Sequence, residues 1–178
     1  MKKAKVLLIT MLAVGTLLTG CGGGDANTDT KSSQNSESDV AKKPSNGYKF
    51  DLKGTTVCMN AEMAPIVEAL GEADNYFESE SCAFQGMDKV YTYGSVVITT
   101  YPDNGIDYVY TIELKDDTVT TQEGLYIGAT KDDVIAKYGE ATTSTDNALV
   151  YEKDDSKLSF IMDDGATVSS ITYTAITE

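Results

Sequence analysis

The sequence predicts an α+β fold of two tandem repeats, each a short helix followed by a three-stranded antiparallel meander, with the helices on one face of the sheet. Two observations predict it. Similar features recur in the same order along the 178 residues, and in each copy an apolar stripe with helical spacing precedes three alternating runs. We expect repeat 1 in residues 48–123 and repeat 2 in residues 124–178, together forming one globular domain.

The duplication rests on matched segments. Residues 54–60 align with residues 124–130, since each segment begins with glycine, contains a β-branched residue and ends in a helix-capping residue. Further along, Asp-Asn-Gly at residues 103–105 aligns with Asp-Asp-Gly at residues 163–165. Several matches in one order favour two copies of one unit. Two unrelated α+β halves are the alternative.

The predicted helices have recognisable starts. Thr130 is a good N-cap and Asp133 stands at the third helical position, so we expect a helix over about residues 131–138, ended by the glycine that follows. In the first copy, Asn60 is the expected N-cap. Pro65 lies in the early helix, where its missing N–H costs least.

Three short runs of alternating apolar and polar residues follow each helix, and each run predicts a strand. The last two runs of each copy are separated by the Asp-Asn-Gly or Asp-Asp-Gly segment, which favours a tight hairpin. The predicted strands are residues 89–93, 96–101 and 108–114 in repeat 1 and residues 148–153, 157–162 and 168–174 in repeat 2.

Period-2 alternation separates the two faces of the predicted sheet. The face toward the helices is expected to form the core, with Tyr91, Tyr93, Ile98, Tyr110, Ile112, Leu114, Leu149, Tyr151, Leu158, Phe160, Met162, Ile171 and Tyr173. The opposite face is polar and is the candidate binding surface, although a merely solvated face is the alternative. The candidate binding residues are Thr99, Tyr101, Thr111, Glu113, Ser159, Ile161 and Thr172, with Tyr101 and Ile161 as the large apolar contacts.

The composition argues against several classes of function. The chain has 14 lysines, no arginine and 28 acidic residues, so its net charge of −14 would repel the phosphates of a nucleic acid. It has no histidine, which removes the Ser-His and Cys-His routes to an activated nucleophile and the commonest nitrogen ligand of zinc. We therefore expect no catalytic residue, no cofactor and no enzymatic activity.

Paired aspartates raise the question of a calcium site. The pairs stand at residues 116–117, 132–133, 154–155 and 163–164. None has the alternating oxygen spacing of a calcium-binding loop, and aspartate is common in turns. We predict no metal site.

The N-terminus predicts export and lipidation. Three lysines precede an apolar run that is too short to span a bilayer comfortably, so residues 1–20 are interpreted as a signal peptide. Leu-Thr-Gly before Cys21 resembles the lipobox of bacterial lipoproteins, which implies lipid on the Cys21 sulfur; an ordinary signal peptide with an incidental cysteine is the alternative. Residues 21–47 are poor in large apolar side chains and are expected to be a flexible tether. We expect a protein anchored at the extracytoplasmic face of the cell membrane.

Two further cysteines remain once Cys21 carries lipid. Cys58 and Cys82 form an even pair outside the cytoplasm, which favours a disulfide. Closing the loop between them would stabilise the fold by ~3 kcal/mol on the loop-entropy model. Two free buried thiols are the alternative, and a catalytic thiol is less favoured without histidine.

Two stretches carry a family resemblance. Ser-Cys-Ala-Phe-Gln-Gly-Met-Asp-Lys-Val-Tyr-Thr-Tyr at residues 81–93 and Glu-Gly-Leu-Tyr-Ile-Gly at residues 123–128 are similar to lipoproteins of anaerobic Gram-positive bacteria. With its two-copy pattern, the chain between residues 51 and 174 resembles the β-lactamase-inhibitor-protein-like fold. The resemblance implies the tandem architecture and assigns neither an activity nor a contact residue.

Two functions from different classes are consistent with these observations. The first is a tethered, non-catalytic module that binds a protein, or less favourably a glycan, through the sheet face or edge loops. The acidic charge favours a partner with a basic surface. The second is a structural or assembly lipoprotein of the cell envelope that recognises no free ligand.

Overall fold

The computed structural model describes residues 46–177. Within them the chain forms ten strands and two helices. The elements are β1 Lys49–Leu52, β2 Thr55–Cys58, α1 Met63–Leu70, β3 Asn75–Glu80, β4 Met87–Tyr93, β5 Val96–Asp103, β6 Ile106–Leu114, α2 Lys131–Tyr138, β7 Thr143–Ser144, β8 Ala148–Lys153, β9 Ser156–Ile161 and β10 Ser170–Ala175.

Eight of these strands form one antiparallel sheet. Their order is β3-β4-β5-β6-β10-β9-β8-β7, so β10, the last of the described strands, lies near the middle and pairs with β6 on one side and β9 on the other. Strands β1 and β2 form a separate hairpin. Its turn places Lys53 and Gly54 at φ of 49° and 85°, a backbone conformation that suits a two-residue hairpin.

The predicted fold of two helix-plus-three-strand repeats with helices on one face is wrong. Strands make up 46% of the structure and helices 12%, and the strands join into a single large sheet. The prediction missed β3 because all six of its residues are exposed, so its sequence Asn-Tyr-Phe-Glu-Ser-Glu shows no apolar alternation. It missed β7 because two residues carry no periodicity.

The core joins buried residues of the sheet, of the β1–β2 hairpin and of both helices. Phe50 of the hairpin packs against Tyr173 of β10, with ring centroids 5.7 Å apart. The two helices together bury Met63, Ile66 and Val134. Fully burying each such side chain contributes about 1.5–3 kcal/mol, so most of the apolar stabilisation comes from the sheet face and the hairpin.

The predicted core positions are largely confirmed. Tyr91 and Tyr110 are the exceptions, since both are half-buried. The predicted core side chains that are buried are Tyr93, Ile98, Ile112, Leu114, Leu149, Tyr151, Leu158, Phe160, Met162, Ile171 and Tyr173.

The second helix begins as predicted and the first does not. Thr130 Oγ1 accepts a hydrogen bond from the backbone N–H of Asp133 at 3.2 Å, and the Asp133 carboxylate accepts one from the Thr130 N–H at 3.0 Å. This capping box satisfies two helix-terminal donors. Helix α1 follows Glu62 without a side-chain cap, so the prediction of Asn60 as N-cap is wrong.

The six alternating runs coincide with β4, β5, β6, β8, β9 and β10 apart from small differences at their ends. Asn104 and Gly105, at φ of 50° and 79°, form the predicted tight hairpin between β5 and β6. The second predicted hairpin is wrong. Asp164 instead accepts backbone hydrogen bonds from Ala166 and Thr167, which holds a longer loop between β9 and β10.

Candidate functional site

The predicted binding residues fall largely on one face of the sheet. Thr99 of β5 lies opposite Thr111 of β6. Thr172 of β10 lies opposite Glu113 of β6 on one side and Ser159 of β9 on the other. Directly paired residues of antiparallel strands point to the same face, so these side chains form two neighbouring rows. All five are half-buried, and we call the face that they define the open face.

Ile161 extends the open face by one row. It lies opposite Ser170 of β10 and Ala148 of β8. Its side chain is 37% exposed, as the prediction of an apolar contact requires. A single exposed isoleucine is common on protein surfaces, so the exposure of Ile161 indicates a binding surface only together with its neighbours.

Tyr101 was predicted as the second large contact of this face, but it is only 1% exposed. The ring of Phe84 covers it at a centroid distance of 4.9 Å. Strand parity could not indicate this, because Phe84 comes from the loop between β3 and β4 rather than from a strand. The prediction of Tyr101 as an accessible anchor is therefore wrong.

The covering loop, residues 81–86, is held in place by its own hydrogen bonds. Ser81 Oγ accepts from the Phe84 N–H at 3.1 Å, and the Ser81 N–H donates to the Gly86 carbonyl at 2.9 Å. Gly86 adopts a φ of +130°, and a Cβ there would lie 3.0 Å from Pro102 Cγ. A side chain at Gly86 would therefore force the loop away from β5.

Four rings form an aromatic cluster at this end of the sheet: Phe84, Tyr101, Tyr108 and Tyr110. Tyr101 lies 5.7 Å from Tyr108 and 5.8 Å from Tyr110, which itself lies 5.6 Å from Phe84. A β-bulge contributes to the cluster. Thr99 pairs with Thr111 but Thr100 with Val109, which leaves Tyr110 as the extra residue.

Asn60 fastens the cluster to the rest of the fold. Its Oδ1 accepts a hydrogen bond from the Tyr101 hydroxyl at 2.8 Å, and its Nδ2 donates to Asp155 in the β8–β9 turn at 2.9 Å. Its backbone N–H donates to the Val109 carbonyl at 3.0 Å. The residue is buried and sits at a φ of 58°, which asparagine tolerates better than most residues.

The charges on the open face are paired. Glu113 lies 2.8 Å from Lys115, and Glu152 lies 2.9 Å from Lys157. Both pairs are about half exposed, and such surface pairs contribute about 0–1 kcal/mol. The lysines therefore hold the carboxylates of Glu113 and Glu152 only weakly.

Cys58 and Cys82 are separate free thiols in the structure, which therefore lacks the predicted bridge. Cys58 is half-buried in β2, and burial raises the pKa of its thiol. Cys82 is exposed in the loop before β4. Neither thiol has a histidine to activate it, and the disulfide of the oxidised protein stays a prediction.

Several of the paired aspartates accept local hydrogen bonds. Asp116 accepts from the Thr118 N–H at 2.9 Å, and Asp164 caps the β9–β10 loop. Within residues 46–177, no three acidic or cysteine side chains come together as a possible metal site. Local hydrogen bonding thus accounts for Asp116, Asp133 and Asp164.

The predicted signal peptide, the lipidated Cys21 and nearly all of the tether lie outside the described residues. No helix within residues 46–177 has the length and apolar character needed to cross a membrane. Comparisons with protein-family models, with curated proteins and with solved structures found no match. The family resemblance stated above therefore stays a prediction.

Proposed function

We propose that the chain is a non-catalytic protein-binding module, anchored by lipid on Cys21 at the extracytoplasmic face of the cell membrane, that binds its partner with the open face. The observation that carries this proposal is the register of β5, β6, β10 and β9. It sets Thr99, Thr111, Glu113, Thr172 and Ser159 side by side across four strands, all partly accessible.

A broad, shallow and hydroxyl-rich surface suits a protein partner. Small-molecule sites are typically concave and enclose most of their ligand, whereas protein interfaces spread over about 800 Å² per partner. The absence of histidine from all 178 residues supports binding rather than catalysis.

The charge supports a partner with a basic surface. A net charge of −14 steers cationic surfaces toward the chain, and ionic screening weakens this steering beyond about 8 Å at physiological salt. We expect the association rate to fall as salt rises.

Photo-crosslinking tests the proposal with a matched pair of positions. A photoreactive phenylalanine analogue replaces Ile161 on the open face or Ile135 on helix α2, whose side chains are 37% and 43% exposed. The tagged full-length protein is irradiated on intact cells. We expect a defined, salt-sensitive adduct from position 161 and none from position 135.

A second pair of variants tests the row of the open face in which Thr111 lies opposite Thr99. Thr111→Lys places a cation in the open face and should weaken capture of the cross-linked partner at least tenfold. Thr120→Lys, at an exposed position between β6 and α2, should leave capture unchanged. Adducts only from position 135, or equal capture by both lysine variants, would refute open-face binding. A stoichiometric complex with other envelope proteins would support the assembly role instead.

A further inference from the structure

The two edge strands of the sheet, β3 and β7, differ in length. β7 has two residues, and a very short edge strand is a common protection against pairing with other chains. β3 has six residues, all exposed, without proline or lysine. Within residues 46–177, no strand lies outside β3. Its outer edge therefore presents backbone N–H and C=O groups ready to pair with another strand.

Exposed aromatic side chains occupy both faces of this edge. Tyr76 is 49% exposed and Phe77 is 60% exposed. Consecutive strand residues point to opposite faces, so Tyr76 joins Tyr91 on one face and Phe77 joins Val90 on the other. A strand added beside β3 would cover apolar surface on both faces in addition to forming main-chain hydrogen bonds.

A cavity of about 410 Å³ opens beside the Tyr76 face. Val67 of α1 lines it on one side, and the paired rings of Tyr76 and Tyr91, 5.0 Å apart, line it on the other. Glu72 and Asp74, from the connection between α1 and β3, complete the wall. The volume is large enough for a long side chain projecting from an added strand.

The chemistry of the wall selects a cation. Tyrosine rings attract a cation to their faces, and carboxylates form charge-assisted hydrogen bonds with ammonium or guanidinium groups. Asp74 is held in place by the Gly94 N–H, which donates to its carboxylate at 2.6 Å. The nearby Lys89 is already paired with Asp107 at 2.7 Å. An anionic ligand would instead meet the carboxylates of Glu72 and Asp74 in this cavity.

We propose that β3 and the adjoining cavity bind an extended basic segment of a partner protein, which adds to the sheet as a ninth strand and inserts a lysine or arginine side chain between Glu72 and Tyr76. This site lies at the sheet edge and does not depend on open-face binding. A second copy of the chain fits less well. Antiparallel β3–β3 pairing would bring Glu78 and Glu80 of both copies to one seam in a protein of net charge −14.

Hydrogen exchange with a defined probe tests the site. The probe is an eight-residue peptide of alternating lysine and valine with blocked ends, added to the full-length protein, and the control peptide alternates glutamate and valine. The basic peptide should slow amide exchange in Asn75–Glu80, as expected if strand addition pairs the outer-edge N–H groups. The acidic peptide should have no effect.

Matched variants locate the cation. Glu72→Gln and Tyr76→Ala should each weaken binding of the basic peptide about fivefold or more, in line with the loss of a salt bridge or a cation–π contact. Glu140→Gln, at the exposed residue that follows Gly139 after α2, is the control and should bind normally.

Four results would overturn this proposal. They are absence of binding, protection of β6 and β10 amides in place of β3, equal weakening by Glu72→Gln and Glu140→Gln, and self-association that protects β3 without peptide. The second of these would leave the open-face proposal standing. Conversely, failure of the crosslinks at Ile161 would not affect the protection expected at β3.

Discussion

Asn60 joins three parts of the fold, and replacing it should cost much of the stability of the domain. Its side chain bonds both the Tyr101 hydroxyl and the Asp155 carboxylate, while its backbone occupies the left-handed region at φ 58°. We predict that both Asn60→Gly and Asn60→Ala destabilise the protein. Alanine should destabilise it more, because glycine tolerates the left-handed backbone and alanine does not.

The magnitude follows from the two side-chain bonds. A hydrogen bond to a neutral group contributes about 1 kcal/mol and one to a charged group about 1.5–3 kcal/mol, so Asn60→Gly should lose roughly 2–4 kcal/mol. A left-handed non-glycine residue costs about 1–2 kcal/mol more, so Asn60→Ala should lose roughly 3–6 kcal/mol. For a domain of this size, a loss of 3 kcal/mol lowers the Tm by roughly 10 °C.

Urea unfolding followed by circular dichroism measures both variants. Tyr101→Phe removes the hydroxyl donor alone, and the double variant with Asn60→Gly completes a cycle that isolates the Asn60–Tyr101 bond. We expect a coupling of about 1 kcal/mol. Equal destabilisation by glycine and alanine would refute the backbone argument. A loss below about 0.5 kcal/mol in Asn60→Gly would refute the assignment of Asn60 as a buried link.

Three other predictions address the remaining parts of the chain. Cys21→Ala should abolish incorporation of labelled palmitate and either release the protein from membranes or leave its precursor uncleaved, and continued labelling would contradict lipidation. Mass spectrometry of non-reduced peptides should show the Cys58–Cys82 bridge, and alkylation of both thiols without reduction would exclude it. After reduction, iodoacetamide should modify the exposed Cys82 before Cys58, because burial raises the pKa of the Cys58 thiol. Hydrogen bonds from Thr130 hold the pKa of Asp133 below its ordinary 3.8, so this stabilisation is complete above that pH and is lost as pH falls through the lower folded value. The destabilisation caused by Thr130→Ala in urea should therefore shrink between pH 7 and pH 2, and a constant difference would contradict the capping-box assignment.

Local rules predicted the parts of the fold that depend on neighbouring residues. The Thr130 cap and the Asn104-Gly105 turn each rest on side chains or dihedrals within a few positions, and both are found as expected. The alternating runs of β8 and β9 bury one face each, so their strands were also visible in the sequence.

The predictions that failed depended on contacts between residues that are distant in the sequence. Asn60 looked like a helix cap because asparagine favours that position, but its partners Tyr101 and Asp155 lie far along the chain. Phe84 covers Tyr101 from a loop, where alternation gives no information. The consecutive aromatics Tyr76 and Phe77 were the one available sign of the exposed β3 edge, since aromatic residues favour strands.

The position of β10 governs when this domain can fold. Strand Ser170–Ala175 is synthesised after the other nine described strands, yet it separates β6 from β9 in the finished sheet. Until β10 is present, β6 and β9 each have an open edge. The core-facing Ile112 then lacks its neighbour Tyr173, and Phe160 lacks its neighbour Ile171. Such long-range pairing is slow to form. A nascent chain can therefore complete its sheet only after β10 emerges, and a truncation before Ser170 would leave two separate meanders that cannot reproduce the native core.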